Sequence, residues 1–228
     1  RAMEMFSCPL NFRKPVYDGT IMEGEMYGDT FMIYDMLLEC GKVVGNMDFL
    51  SRLKSIENVK KMLTSLKYDP VKFKIKTFHL MSDYKTFMET YLPTVTQDID
   101  GLIFTPINDT VKTGTHETMF KWKPRDKNTI DFQLKRVDTT WKMYVQERGK
   151  LIFESEIYDH MVPPYAVEWM EDGAIVECQY MHKDTPMWWK PILRRYDKTF
   201  PNSRRTFYRT LVNIKEDISM SDFMNCIP

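Results

Sequence analysis

The second half of the chain most constrains what it can fold into. Beyond Asp131 run FQLKRV, TWKMYVQ, KLIFESEIY and AIVECQYM, all rich in β-branched and aromatic residues. Turn signals such as Glu147-Arg148-Gly149 and Glu171-Asp172-Gly173 separate them. Short strands at that rhythm predict a small antiparallel barrel. A helix should follow: Asn202 or Ser203 can cap it, Phe207, Leu211 and Ile214 recur on one face, and Ile218 to Met224 adds a short turn.

The first half mixes periods. Two β-prone runs between Thr20 and Leu37 flank Tyr27-Gly28-Asp29 and predict a hairpin. From Met47 to about Leu66 apolar residues recur at helical spacing, with Asn46 a candidate N-cap. KFKIKTFHL, Lys72 to Leu80, alternates as a strand does, and Ser82 opens a shorter helix that Pro93 stops. GLIFTPI from Gly101 and MFKWK from Met119 predict two more strands. The fold class is therefore α+β, with a boundary between residues 1–131 and 132–228.

Composition narrows the chemistry. With 43% hydrophobic and 28% charged residues, collagen-like, low-complexity and disordered classes are excluded. No apolar stretch is long enough to span a membrane. Thirty-two Lys and Arg balance 32 Asp and Glu, so a nucleic-acid or nucleotide site must be a local patch. Cys8, Cys40, Cys178 and Cys226 are scattered and the four His form no spaced ligand pairs, which argues against zinc or a disulfide framework and for reduced, buried thiols.

Four constellations carry possible chemistry. In Phe120-Lys121-Trp122-Lys123-Pro124 the two lysines leave the same strand face, where they either hold a phosphate chain or face water. Asp98-Ile99-Asp100-Gly101 places a carboxylate before an apolar strand, suited to magnesium or simply to a turn. Glu23 and Glu25 share a strand face, for metal, ribose or solvent. Between Lys190 and Arg209 stand seven cations and one acid, Asp197, the strongest candidate for a polyanion patch. Trp188 and Trp189 before it either stack on bases or fill the core.

In order and spacing, GTIMEGEM, FMIYDML, DIDGLIF, MFKWKPRDKNTIDF and WWKPILRRYDKTFPN resemble the collinear motifs of the mRNA capping enzyme (RNA guanylyltransferase) family, related to ATP-dependent DNA and RNA ligases. KWKPRDKNTIDF and RYDKTFPN are the most specific parts, and the spacing and the tail RTFYRTLVNIKEDIS resemble capping enzymes of large DNA viruses. The resemblance implies a nucleotidyltransferase domain of antiparallel sheets and helices followed by an OB-fold lid. It implies ping-pong chemistry, in which a lysine of a Lys-x-Asp-Gly motif takes GMP from GTP and passes it to the 5′-diphosphate end of RNA.

Carried over by motif, Glu25 contacts ribose or metal, Tyr34 stacks on guanine, and Lys76 (or Lys74) contacts the base. Asp100 binds Mg2+ or Mn2+, and Lys121 and Lys123 hold the α-phosphate. Arg195, Asp197 and Lys198 act on the β- and γ-phosphates, and Arg1 contacts the nucleotide. Two features depart from the pattern. Leu193 stands where an arginine is usual, and none of Asp18-Gly19, Asp100-Gly101 and Asp172-Gly173 carries a lysine two residues ahead. The nucleophile is expected in a preceding segment. Triphosphatase and methyltransferase domains or subunits are the expected partners, with the cytoplasm as the place of work for a viral enzyme and the nucleus for a cellular one. The alternatives are a ligase using ATP, or a non-catalytic module that binds RNA or a polymerase tail.

Overall fold

The computed structural model describes residues 5–64, 68–114, 116–184 and 186–227. It divides into two compact units, one of Met3–Leu92 with Leu102–Trp122, the other containing Pro93–Gly101 and Lys123–Pro228.

The first unit is built on a hairpin of β1 (Ile21–Tyr27) and β2 (Thr30–Glu39). Gly28, at φ +58°, supplies the left-handed conformation the two-residue turn requires. The other edge of β2 is shared: β3 (Lys42–Val43) pairs with its end, and β4 (Lys72–Ile75) runs parallel to its start. The strand expected over 72–80 thus stops at Ile75, where the partnered length of β2 turns from β4.

The helix α1 (Phe49–Lys61) is shorter than 47–66. Its N-cap is Asp48, not Asn46, because the Asp48 carboxylate accepts the Ser51 N–H at 2.9 Å. Past Lys61 the chain is drawn into a bridge between Leu63 and Phe12, which ends the helix; Leu66 lies outside the described residues. Ile56 and Val59 of α1 bury against Ile33 and Met36 of β2. The helix expected from Ser82 is instead a run of tight turns whose α-helical part, α2, covers only Tyr84–Thr86 and continues as a π-helix over Phe87–Tyr91. Rings decide this, as His79, Tyr84, Phe87 and Tyr91 pack on one another. β5 (Leu102–Phe104) and β6 (Phe120–Trp122) form a separate antiparallel pair.

The second unit is the barrel. β7 (Thr129–Val137), β8 (Thr140–Glu147), β9 (Lys150–Tyr158), β10 (Ile175–Met181) and β11 (Trp188–Arg194) form one antiparallel sheet ordered β11-β10-β7-β8-β9. The edge strands β9 and β11 also touch, curling the sheet toward closure. This is the strand order of an OB-fold. Asp131, the last residue of the first domain as read from the sequence, is already the third residue of β7. Inward side chains alternate as the pleat demands: Ile130, Phe132 and Leu134 on β7, and Trp141, Met143 and Val145 on β8. Trp189 belongs to this core, against Phe132 and Phe207, and so is not free to stack on a base. Helix α3 (Arg204–Glu216), capped by the Ser203 hydroxyl, contributes Phe207 and Ile214 to the same core.

Candidate active site

In the first unit the β1–β2 register slips between Glu23 and Gly24: Glu23 faces Asp35, Gly24 faces Ile33, and Tyr34 is left without a partner. Such a bulge re-aims its side chain. Beyond β4 the Lys76 N–H donates to the Ile33 carbonyl at 2.8 Å, which brings Lys76 alongside. Its ammonium lies 3.8 Å from Glu25 Oε2 and 5.8 Å from the centre of the Tyr34 ring. Glu25 also accepts the Tyr27 hydroxyl at 3.1 Å. Three predicted residues, Glu25, Tyr34 and Lys76, are therefore together, and Lys76 rather than Lys74 is the lysine beside Tyr34. Partial burial, then the charges of Glu23, Glu25 and Asp35, raise the Tyr34 phenol above its ordinary pKa. One surface thus offers an aromatic face, a cation and a carboxylate, the groups that a purine nucleoside asks for.

Behind it lies a pair that sequence reasoning missed. Arg52 on α1 grips Asp35 through two bonds, Nε–Oδ1 at 2.7 Å and Nη2–Oδ2 at 2.9 Å. Its remaining nitrogen, Nη1, donates to the carbonyls of Met47 and Asp109 at 2.6 and 2.8 Å. Both residues are buried. The available signal was a charge on the apolar stripe of a helix, three residues after Phe49 and four before Ile56. Asp35 and Arg52 line a cleft of about 190 Å³ together with Glu23, Asp109, Lys112 and His116. A Thr118 hydroxyl holds the Asp109 carboxyl below its ordinary pKa.

Lys121 sits on β6 opposite Ile103, exposed and with no ion-pair partner among the described residues. Lys123 follows the strand and is assigned to the second unit, where its ammonium bonds the Asp100 carboxylate. Lys127 pairs likewise with Asp98 at 3.0 Å. Arg1 lies outside the described residues.

At one end of the barrel Arg195, Asp197 and Lys198 are brought together around a buried carboxylate. Arg195 makes paired bonds to Asp197, both at 2.9 Å, and reaches Asp131 at 3.1 Å and Glu177 at 3.3 Å. Lys198 bonds the same Asp131. Asn202 holds the Asp131 backbone from both sides, each bond 2.8 Å. The Asp197 bonds, followed by the Asp131 and Glu177 charges, raise the Arg195 pKa even against partial burial. Complete burial, then the charges of Asp131 and Glu177, push the Cys178 thiol well above its ordinary pKa.

The polyanion patch needs correcting. Of its seven cations, Arg194 pairs with Glu171, Arg195 and Lys198 with the cluster just described, and Arg204 with Glu147 and Glu154. A local count along the chain missed acids that other strands bring alongside.

Residues 1–125 match the family model described as mRNA capping enzyme, catalytic domain, and residues 127–224 match mRNA capping enzyme, C-terminal domain. The chain belongs to the mRNA capping enzyme family. Similar proteins include the mRNA-capping enzyme of Danio rerio, 26% identical over 91% of this chain and 38% of its own length. That of Mus musculus is 27% identical over 86% and 36%, and that of Caenorhabditis elegans 28% over 65% and 25%. The chain thus spans under two fifths of the length of these relatives, which are cellular proteins. The catalytic-domain match contains Glu25, Tyr34, Lys76, Asp100, Lys121 and Lys123; the C-terminal match contains Arg195, Asp197 and Lys198.

Proposed function

We propose that the chain is the nucleotide-binding and barrel portion of an mRNA guanylyltransferase, which moves GMP from GTP to the 5′-diphosphate end of RNA. The observation that carries the reading is the convergence of Tyr34, Lys76 and Glu25 on one surface. Guanine stacks on Tyr34, the Lys76 ammonium donates to the base, and Glu25, ion-paired with Lys76 at 3.8 Å, accepts from ribose.

In the first step a lysine of the family's Lys-x-Asp-Gly motif forms an N–P bond to the α-phosphorus as the bond to the bridging oxygen breaks, and pyrophosphate leaves. Lys121 and Lys123, carried over from the family's motif, oppose charge growing on the α-phosphate oxygens. Arg195 and Lys198 exchange Asp131 and Glu177 for oxygens of the β- and γ-phosphates. In the second step an oxygen of the RNA diphosphate attacks the same phosphorus and the lysine nitrogen departs.

A magnesium or manganese ion fits this set. No three acidic, His or Cys side chains form a cage among the described residues, but magnesium needs only one or two carboxylates plus substrate phosphates. Asp100, largely exposed beside Lys123, has the chemistry to hold it. Such an ion would neutralise phosphate charge. Triphosphatase and methyltransferase activities complete the cap from other domains or subunits. A viral source rests on the tail resemblance, and no described helix is long and apolar enough to cross a membrane.

The test is to incubate full-length protein with magnesium and α-labelled GTP and to resolve it on a denaturing gel. An acid-labile, alkali-stable labelled band, lost in Lys121→Ala, is expected. Labelling from ATP and not from GTP would move the protein to the ligases.

A further inference from the structure

The outer face of the β7–β8–β9 sheet carries residues that neither the core nor the candidate active site uses. Lys135 on β7 stands directly opposite Lys142 on β8. Like charges facing each other across strands are destabilising, and neither lysine has a carboxylate partner among the described residues. Each lies over a ring instead: Lys135 Nζ is 5.5 Å from the centre of Tyr144, and Lys142 Nζ is 5.7 Å from that of Phe153. Tyr144 and Phe153 are themselves cross-strand partners, with ring centres 5.9 Å apart, and Phe153 is 48% exposed. The one acid on this face opposite a lysine, Glu156, accepts the Tyr158 hydroxyl and forms no ion pair with Lys142.

We propose that this face binds single-stranded RNA, holding the segment behind the 5′ end that receives GMP; the proposal rests on the guanylyltransferase reading. Two cations without counter-charges ask for phosphates, and the exposed Phe153 ring beside the half-buried Tyr144 ring asks for planar groups. RNA supplies both in regular alternation along its length, which a phosphorylated peptide does not. Unstacked bases are required, which selects single strands over duplex. The position also suits the task. Along β7 the residues Asp131, Gln133 and Lys135 share the pleat face opposite the core, with Asp131 covered by Arg195 and Lys198, so the face begins at the carboxylate that holds those two cations. At about 3.3 Å per residue it extends roughly 13 Å from there to Lys135. The outer surface of the second and third strands is also where OB-folds take oligonucleotides, and β8 and β9 are those strands here.

The experiment measures fluorescence anisotropy of a labelled, unstructured oligoribonucleotide with a 5′-diphosphate, titrated with full-length protein at several salt concentrations. For the double variant Lys135→Ala, Lys142→Ala, affinity at low salt should fall about tenfold or more, and the slope of log affinity against log salt should become shallower by about 1.4, at about 0.7 per phosphate contact. Tyr144→Ala and Phe153→Ala should each weaken binding by about tenfold with the slope unchanged, because stacking carries no counterions. Lys135→Arg with Lys142→Arg should restore affinity, which separates lost charge from a fold defect. A double alanine variant that binds as wild type does, with the same slope, overturns the proposal. So does binding of a phosphorylated peptide by wild type in the absence of RNA binding. GMP loading of wild type is scored in parallel: loading with RNA affinity insensitive to these residues overturns the platform alone, while absence of loading overturns the guanylyltransferase reading.

Discussion

Arg52 and Asp35 show how much a single buried pair decides. All the donors that Arg52 uses are satisfied inside the protein, by a carboxylate on β2 and two loop carbonyls. Removing one partner leaves the other charged and buried, so Arg52→Met should destabilise by about 3–5 kcal/mol in urea unfolding. Arg52→Met with Asp35→Leu should recover part of that loss, because the orphaned charge is gone; a double variant as unstable as the single would contradict this account. Tyr34 supplies a second prediction. Its phenol binds a proton more tightly in the folded protein than at the ordinary value of 10.0. The native state therefore holds more protons than the unfolded chain above pH 10, and stability contributed by Tyr34 is complete below pH 10 and lost as pH rises through the folded value. Unfolding free energy of wild type should drop more steeply above pH 10 than that of Tyr34→Phe, and parallel profiles would refute the assigned environment.

Among the elements, the β1–β2 hairpin is what aims Glu25 and Tyr34. Its bulge leaves Tyr34 unpaired, and Gly24 beside it permits the close approach of the strands. A Cβ at Gly24 would lie 2.6 Å from the Phe31 ring and 2.7 Å from the Met32 carbonyl oxygen. The ring can move but the carbonyl belongs to the ladder. Gly24→Ala should therefore cost about 1–3 kcal/mol, read as a lower melting temperature, and adding Phe31→Leu should not restore it. Melting like wild type would show that the hairpin can open there freely. The helix ends follow the same local rule: α1 and α3 start where Asp48 and Ser203 accept a backbone N–H. Asn46 had the right chemistry, yet Asp48 is the residue whose carboxylate meets the N–H of Ser51.

On the scale of the whole molecule, two separate hydrophobic clusters match the two units. Ile33, Met36, Ile56 and Val59 centre one, and Phe132, Met143, Val176 and Trp189 centre the other. Because the barrel keeps its core and its closing helix α3 within one stretch, Lys123–Pro228 expressed alone should fold, with strand-type circular dichroism and a single cooperative melt. A fragment that melts without cooperativity would show that the barrel draws stability from outside its own sheet.

Strand rhythm, the hairpin turn, the capped last helix and the order of family motifs were legible in the sequence, because each depends on neighbours a few residues apart. So were Glu25, Tyr34 and Lys76 as candidates, through the motifs that carry them. What stayed illegible involves partners far apart in the chain. Lys74 and Lys76 could be told apart only once the parallel pairing of β4 with β2 set Lys76 beside Tyr34. The basic run after Lys190 read as a free patch until Asp131, Glu147, Glu154, Glu171 and Glu177 were folded against it. The facing Lys135 and Lys142 were invisible until β7 and β8 paired in register. Local pattern fixes the elements because backbone preference and side-chain period act over a turn or a strand; charge balance and site geometry wait for the tertiary structure because Coulomb forces depend on distance in space.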